Sequence, residues 1–344
     1  MAAIHRPRAR RARSGLVPPL ASLLIPLLAF LAACSPSAVV VPTIPPDATA
    51  SQVPPATATP AAPTPTPAPT FPLTILDDEG TAVAVAAEPQ RIVSLTPAAT
   101  ETLFAIGAGD RVVAKVEDIA AYPPAADTLP IVATYQGVNV EQVVALEADL
   151  VIAGGNFFTP PDAIAQLRDL GIPVIVLYAS TIEEALSGIE RVGIAAGAAG
   201  AAADLTAAMR AEIDQLAAKT SGLVKPKTFY EIDATTRIYT VPAGSLYAEM
   251  LTLAGADPIT TDESYEISLE ELIIADPEVI LLGDDADYTT AADVAARPGW
   301  EGIRAVKDGN VRPIPAYVLV TRPGPRLVEG LRALIEALHP GVLG

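Results

Sequence analysis

The sequence predicts an α/β protein in which two lobes with mainly parallel sheets are joined by one long helical segment. Three observations lead to this. From Phe71 onward, short apolar runs rich in β-formers alternate with stretches of helical period, the pattern of parallel strands covered on both faces. The alternation pauses over 181–219, where no strand interrupts an alanine-rich helical stretch, and resumes after Pro226. Finally, "NVEQVVALEADLVIAGG" (139–155) and "SLEELIIADPEVILLGD" (268–284) align without a gap. The expected division is an N-terminal lobe over 73–180, a helical segment over 181–222 that contains the interlobe helix, and a C-terminal lobe over 223–344.

What precedes the first lobe is of another kind. Arg6, Arg8, Arg10, Arg11 and Arg13, with no acid among them, lead into an apolar run from Leu16 to Ala33. This is the layout of a secretory signal over 1–33, and Pro18, Pro19 and Pro26 argue against a stable membrane-spanning helix. The run ends in Leu31-Ala32-Ala33-Cys34, which resembles the lipobox of bacterial lipoproteins and implies lipidation of Cys34, the chain's single cysteine. Without a partner for a disulfide, an exported chain holds its fold by its core alone. Residues 36–72 contain twelve prolines and seven threonines with Asp47 as the single charge, and 34–72 is read as the lipidated cysteine and an extended tether. At about 3 Å per residue such a segment reaches on the order of 100 Å.

Within the folded part, "RIVSL" (91–95) reads as a buried strand and "AATETLFAIGA" (98–108) as the helix behind it. "RVVAKV", a proline-rich loop at "YPPAADTLP" and the first copy of the repeat follow. "PDAIAQLRDLG" (161–171) is a helix stopped by glycine, and "IPVIVLYA" the next strand. The 181–219 stretch divides into two helices near Gly197–Gly200. "TFYEI", "RIYTV", the helix "SLYAEMLTLAG", the second copy, "NVRPIP" and a helix over 325–338 complete the chain. In both copies an N-cap residue (Asn139, Ser268) stands three positions before Gln142 or Glu271, the capping-box spacing. Glu141 and Glu270 occupy the same second helical position, where a carboxylate suits the helix dipole.

"RIVSLTPAATETLFAIGAGDRVVA", "YPPAAD", "TYQGVNVEQVVALEADLVIAGG" and "GWEGIRAVKDGNVRPIP" resemble, in this order and over nearly all of 89–340, substrate-binding proteins of ABC importers for cobalamin, ferric siderophores and haem. The pattern is most similar to the cobalamin binders. The resemblance implies two Rossmann-like lobes bridged by a single long helix, a ligand cleft between them, a monomer, and a permease dimer as partner. It implies that Glu141 and Glu270 dock into arginine pockets on that permease, beside the alternative that each only complements its own helix dipole. Tyr135, in "ATYQG", aligns with an aromatic that contacts the ligand in cobalamin binders and lies near an iron-ligating tyrosine of haem binders. Gln136 and Gly137 share its loop, Pro97 and Ala98 open the first helix, and Asn156, Phe157 and Phe158 end a strand. In the second lobe the candidates are Tyr239, Tyr247, Tyr265, Tyr317 and Arg322. Arg322 in "TRPGPR" either grips a ligand anion or pairs with a local acid. The sequence departs from the cobalamin binders at Gly154-Gly155 and at Ile119, where an aromatic is common.

A net charge of −18 disfavours nucleic acid as a partner. The two histidines, His5 and His339, make no metal-ligand spacing, and no catalytic motif is present, so neither an enzyme nor a resident metal or cofactor is expected. "GAGDRV" (107–112) follows a helix and precedes a strand, the reverse of a dinucleotide-binding loop. The expected location is the outer face of the cytoplasmic membrane, held through the lipid on Cys34. The ligand readings are cobalamin, then a ferric siderophore, then haem, with a surface scaffold that uses no cleft as the remaining alternative. A single helical bridge predicts modest lobe closure.

Overall fold

The computed structural model describes residues 69–344 except 156–157, 285–287 and 315–316, and only the backbone of 317–318. Cys34, the leader, tether residues 34–68, Asn156 and Phe157 lie outside the described residues. The chain enters through an antiparallel hairpin of β1 (Leu73–Leu76) and β2 (Ala82–Val85). The first lobe then runs β3 (Ile92–Ser94), α1 (Pro97–Ala105), β4 (Val112–Val116), β5 (Ile131–Thr134), β6 (Gly137–Val138), α2 (Val140–Ala145), β7 (Leu150–Gly154), α3 (Pro161–Asp169) and β8 (Val174–Leu177). Its sheet has the order β6-β5-β4-β3-β7-β8, parallel except at β6. Strand order reverses at β3, so the crevice beyond the ends of β3 and β7 is the place where such a sheet receives a ligand.

Two helices follow, α4 (Ile182–Ala195) and α5 (Ala199–Thr220), joined at Gly197. Thr181 caps α4 by accepting from the Glu184 amide, and Glu183 and Glu184 lie in its first turn, where carboxylates suit the dipole. The second lobe contains β9 (Lys227–Asp233), β10 (Ile238–Thr240), α6 (Leu246–Leu253), β11 (Asp257–Pro258), β12 (Glu266–Ile267), α7 (Leu269–Ala275), β13 (Val279–Leu282), α8 (Ala291–Ala295), α9 (Arg304–Lys307), β14 (Val311–Pro313), α10 (Tyr317–Val320) and α11 (Leu327–Leu338). Its sheet has the order β12-β10-β9-β13-β14, with β11 beside β9 and antiparallel pairing confined to β10.

The repeat is structural. Short edge strands β6 and β12 lead into α2 and α7, and β7 and β13 follow at equivalent positions. Glu147 and Asp276, both left-handed at φ 51 and 45, stop the two helices at the same register. Ser268 and Glu271 close a full capping box, whereas Asn139 accepts from the Gln142 amide with no return bond from Gln142.

Alternation along the strands divides the interior into three cores. Val93, Val151 and Val174 face α2 and α3, and Phe229, Ile280 and Leu282 face the packing of Leu272, Val294 and Trp300. The opposite faces, Ile92 and Ile152 in one lobe and Tyr230 and Leu281 in the other, belong to one continuous core with α4, α5, α6 and α11. The lobes are therefore joined by buried apolar surface as well as by chain. At Gly193 a Cβ would lie 2.2 Å from that of Ala202, so this glycine permits the close crossing of α4 and α5. At Gly188, five residues earlier, nothing lies within 4 Å.

Opposite effects are expected from the same substitution in this helix. Gly193→Ala forces α4 from α5 and destabilises by about 1–3 kcal/mol, beyond the gain in helix propensity. Gly188→Ala stabilises by about 0.5–1 kcal/mol. Urea unfolding of both variants measures the difference.

Candidate functional site

Between the lobes lies a cavity of about 650 Å³. The first lobe supplies the starts of α1 (Thr96 to Ala99), the segment after β4 (Glu117, Asp118, Ile119), and the ends of β7 and β8. Helix α4 forms its floor with Ala185, Ile189 and Val192, and leaves open space at Gly188. The second lobe contributes the start of α6 (Ser245, Leu246, Tyr247), Tyr265 from the loop before β12, and Thr321, Arg322 and Pro323. The helix starts are built locally: Thr96 accepts from the Ala99 amide at 3.0 Å and Ser245 from the Ala248 amide at 3.3 Å. Among the described residues, the rings of Phe158, Tyr178, Tyr247 and Tyr265 stand in the walls. Burial, and then the neighbouring Tyr265, raise the pKa of the Tyr247 phenol, which stays neutral at physiological pH.

Of the sequence candidates, Pro97, Ala98, Phe158, Tyr247, Tyr265 and Arg322 line this cavity. Tyr135 is 91% exposed in the turn after β5 and accepts a hydrogen bond from Gln136 at 3.1 Å. With Gln136 and Gly137 it lies at the strand-end rim of the first lobe, outside the cavity wall. Tyr239 is half-buried in β10 and also outside the wall, and Tyr317 begins α10. Glu141 and Glu270 are exposed in the first turns of α2 and α7.

Residue-by-residue reading missed Tyr178, Glu117 and Asp118. Each follows the end of a parallel strand, the signal that could have found it. Tyr178 also accounts for Gly155, directly after β7. A Cβ on Gly155 would come within 2.1 Å of the Tyr178 ring, so the aromatic absent from that loop is supplied from the neighbouring strand end.

Arg322 pairs with acids that are far away in sequence rather than local. Its Nη1 donates to Glu101 Oε1 at 2.8 Å and to Asp118 Oδ2 at 2.9 Å, and its Nη2 donates to the other Asp118 oxygen. These partners are 221 and 204 residues distant and belong to the opposite lobe. The three side chains are 9%, 1% and 3% exposed. Burial raises the Glu101 pKa against the pull of Arg322. Burial also pushes Asp118 upward, but hydrogen bonds from Arg322 and the Ala120 amide, with the charges of Arg322 and Lys115, outweigh it and lower the pKa. Next to this clasp Arg326 sits 4.1 Å from the Tyr122 ring centre, and Glu249 of α6 accepts from the Ile182 amide at 2.7 Å. Among the described residues no cluster of three potential metal ligands occurs, and no helix is long and apolar enough to cross a membrane.

Two α/β lobes around an interlobe cleft, with a continuous core behind it, define a bilobal binding protein. The profile of the periplasmic binding protein family matches residues 92–318, and the chain belongs to that family, the extracytoplasmic substrate-binding proteins of ABC importers. It is 34% identical, over 78% of its own length and 86% of the relative's, to an uncharacterized ABC transporter substrate-binding lipoprotein of Bacillus subtilis. Its fold is similar to that of the periplasmic vitamin B12-binding protein of Vibrio cholerae, with a TM-score of 0.64, 27% identity, and coverage of 73% of this chain and 97% of the other. A periplasmic haem-binding protein of Pseudomonas aeruginosa matches with a TM-score of 0.64, 28% identity, and coverage of 74% and 94%. The family is non-enzymatic.

Removal of the Arg322 guanidinium strands two buried carboxylates. Arg322→Met is expected to destabilise by about 3–5 kcal/mol. Arg237→Ala, which breaks an exposed pair with Glu266, should stay within about 1 kcal/mol. Chemical denaturation of both variants measures the contrast.

Proposed function

We propose that the protein captures a corrinoid of the cobalamin type and delivers it to the permease dimer of an ABC importer. The observation that carries this reading is the cavity, walled from both lobes by Phe158, Tyr178, Tyr247 and Tyr265. A large macrocycle gains most from broad aromatic and apolar surface with a few polar groups to orient it. Pro97, Ala98 and Arg322 complete the proposed walls, and Tyr135, Gln136 and Gly137 reach the ligand from the rim. Tyr239, Tyr317, Asn156 and Phe157 are further contacts in this proposal. The vitamin B12-binding and haem-binding neighbours support a metal chelate as the ligand class. Haem is the second reading, favoured by the exposed Tyr135 phenol at the rim as an axial ligand.

The same proposal includes a signal over 1–33, lipidation at Cys34, a tether to residue 72, lobes over 73–180 and 223–344 around the helical segment 181–222, and action as a monomer. Glu141 and Glu270 serve as the docking pair. Their equivalent positions in two exposed helix starts give a pseudo-symmetric protein two matching contacts for a dimeric membrane partner.

Cyanocobalamin added to the folded part at a hundred times its Kd should stabilise by about 2.7 kcal/mol in thermal unfolding. Tyr265→Ala should weaken it about two- to tenfold in calorimetric titration. If haemin stabilises and cyanocobalamin does not, the second reading replaces the first; if neither does, a scaffold role gains. Glu141→Lys with Glu270→Lys should leave ligand affinity intact and abolish stimulation of the reconstituted importer's ATPase.

A further inference from the structure

The charges in the cavity wall are unbalanced. Among its described residues Glu117, Asp118 and Glu184 are acidic, and Arg322 is the one lysine or arginine. An arginine in a ligand cleft ordinarily invites an anion, because its planar fork of donors matches a carboxylate. Here Asp118 already occupies that fork with both oxygens, and Glu101 takes a further bond from Nη1. Both carboxylates are almost fully buried, so a ligand anion that displaced either would strand a charge away from water.

The neighbouring cations lie outside the cavity wall. Glu101 Oε2 is buried and has no hydrogen-bond partner, so the cluster already holds a carboxylate oxygen that the guanidinium does not satisfy. Lys115 acts on Asp118 from β4 but is not in the cavity wall. Arg326 acts on Glu101 but lies outside the cavity wall, with its guanidinium on Glu329 and the Tyr122 ring. An acidic wall of low dielectric repels anions more strongly than the same charges in open water.

We propose that Asp118 and Glu101, by neutralising Arg322, are specificity-determining residues that restrict the cleft to chelates without net negative charge. The inference rests on the reading of this cleft as a chelate site. It adds that ferric tris-catecholates and similar anionic complexes are rejected by charge rather than by size.

The test is a change of preference between two probes, cyanocobalamin, which has no net charge, and a ferric tris-catecholate, a trianion. Wild type, Asp118→Asn and Asp118→Asn/Arg322→Met are titrated with each by intrinsic fluorescence quenching, with circular dichroism to report folding. In Asp118→Asn the affinity ratio should move at least tenfold towards the trianion, and Arg322→Met should cancel the shift. Should Asp118→Asn fail to fold, Glu101→Gln removes one charge at the same fork and has the same expected shift. A folded variant with no shift overturns the proposal, as does wild type that binds the trianion as tightly as cyanocobalamin. Wild type that binds neither probe, beside a variant that gains the trianion, would sink the corrinoid reading and support the charge argument.

Discussion

The structure depends most on the apolar core that passes through both lobes. Each sheet has one face closed by its own helices and another that meets α4, α5, α6 and α11 in a shared interior. The second faces cannot be covered lobe by lobe, because the helices that cover them are common property. Separation of the lobes would expose this interior to water at roughly 25 cal/mol per Å² of apolar surface. The cleft is thus the open side of a molecule whose closed side is a shared core.

On the open side, polar contacts finish what the core begins. Arg322 reaches across to Glu101 and Asp118, Arg326 packs on Tyr122, and Glu249 ties α6 to the first turn of α4. A buried ion cluster of this kind is weak evidence for net stability, since its desolvation offsets much of the attraction. Its structural consequence is positional: it fixes the TRPGPR segment against the opposite lobe and so shapes a wall of the cavity. The aromatic rings face outward from that frame into the space left for a ligand.

The architecture was legible in the sequence because it is written in periodicity. Apolar runs separated by helices gave the parallel sheets, the strandless stretch gave α4 and α5, and the gapless repeat gave two equivalent units down to their capping residues. The resemblance to importer binding proteins agreed with this and pointed to Phe158, Tyr247 and Tyr265. What stayed hidden lay between distant parts of the chain. Nothing in "TRPGPR" identifies Glu101 and Asp118 as partners, because one-dimensional pattern holds no record of contacts more than 200 residues apart. Tyr178 was hidden for a similar reason: Gly154-Gly155 at the end of β7 read as a loss of aromatic surface until the adjacent strand end supplied the ring. Tyr135 shows the reverse, since a loop end at the right edge of the sheet does not fix whether its side chain faces the cavity or the solvent.

A cleft held at a preset width by a shared core and a cross-lobe clasp predicts an interlobe distance that hardly depends on ligand. The folded part lacks cysteine, so spin labels placed at exposed Val144 and Ile274 report one pair of positions, one in each lobe. Pulsed dipolar spectroscopy with and without saturating cyanocobalamin should give a single narrow distance that moves by no more than a few ångströms. A broad or two-peaked distribution without ligand, collapsing to one short distance with it, would instead show lobes that open freely and close on the ligand.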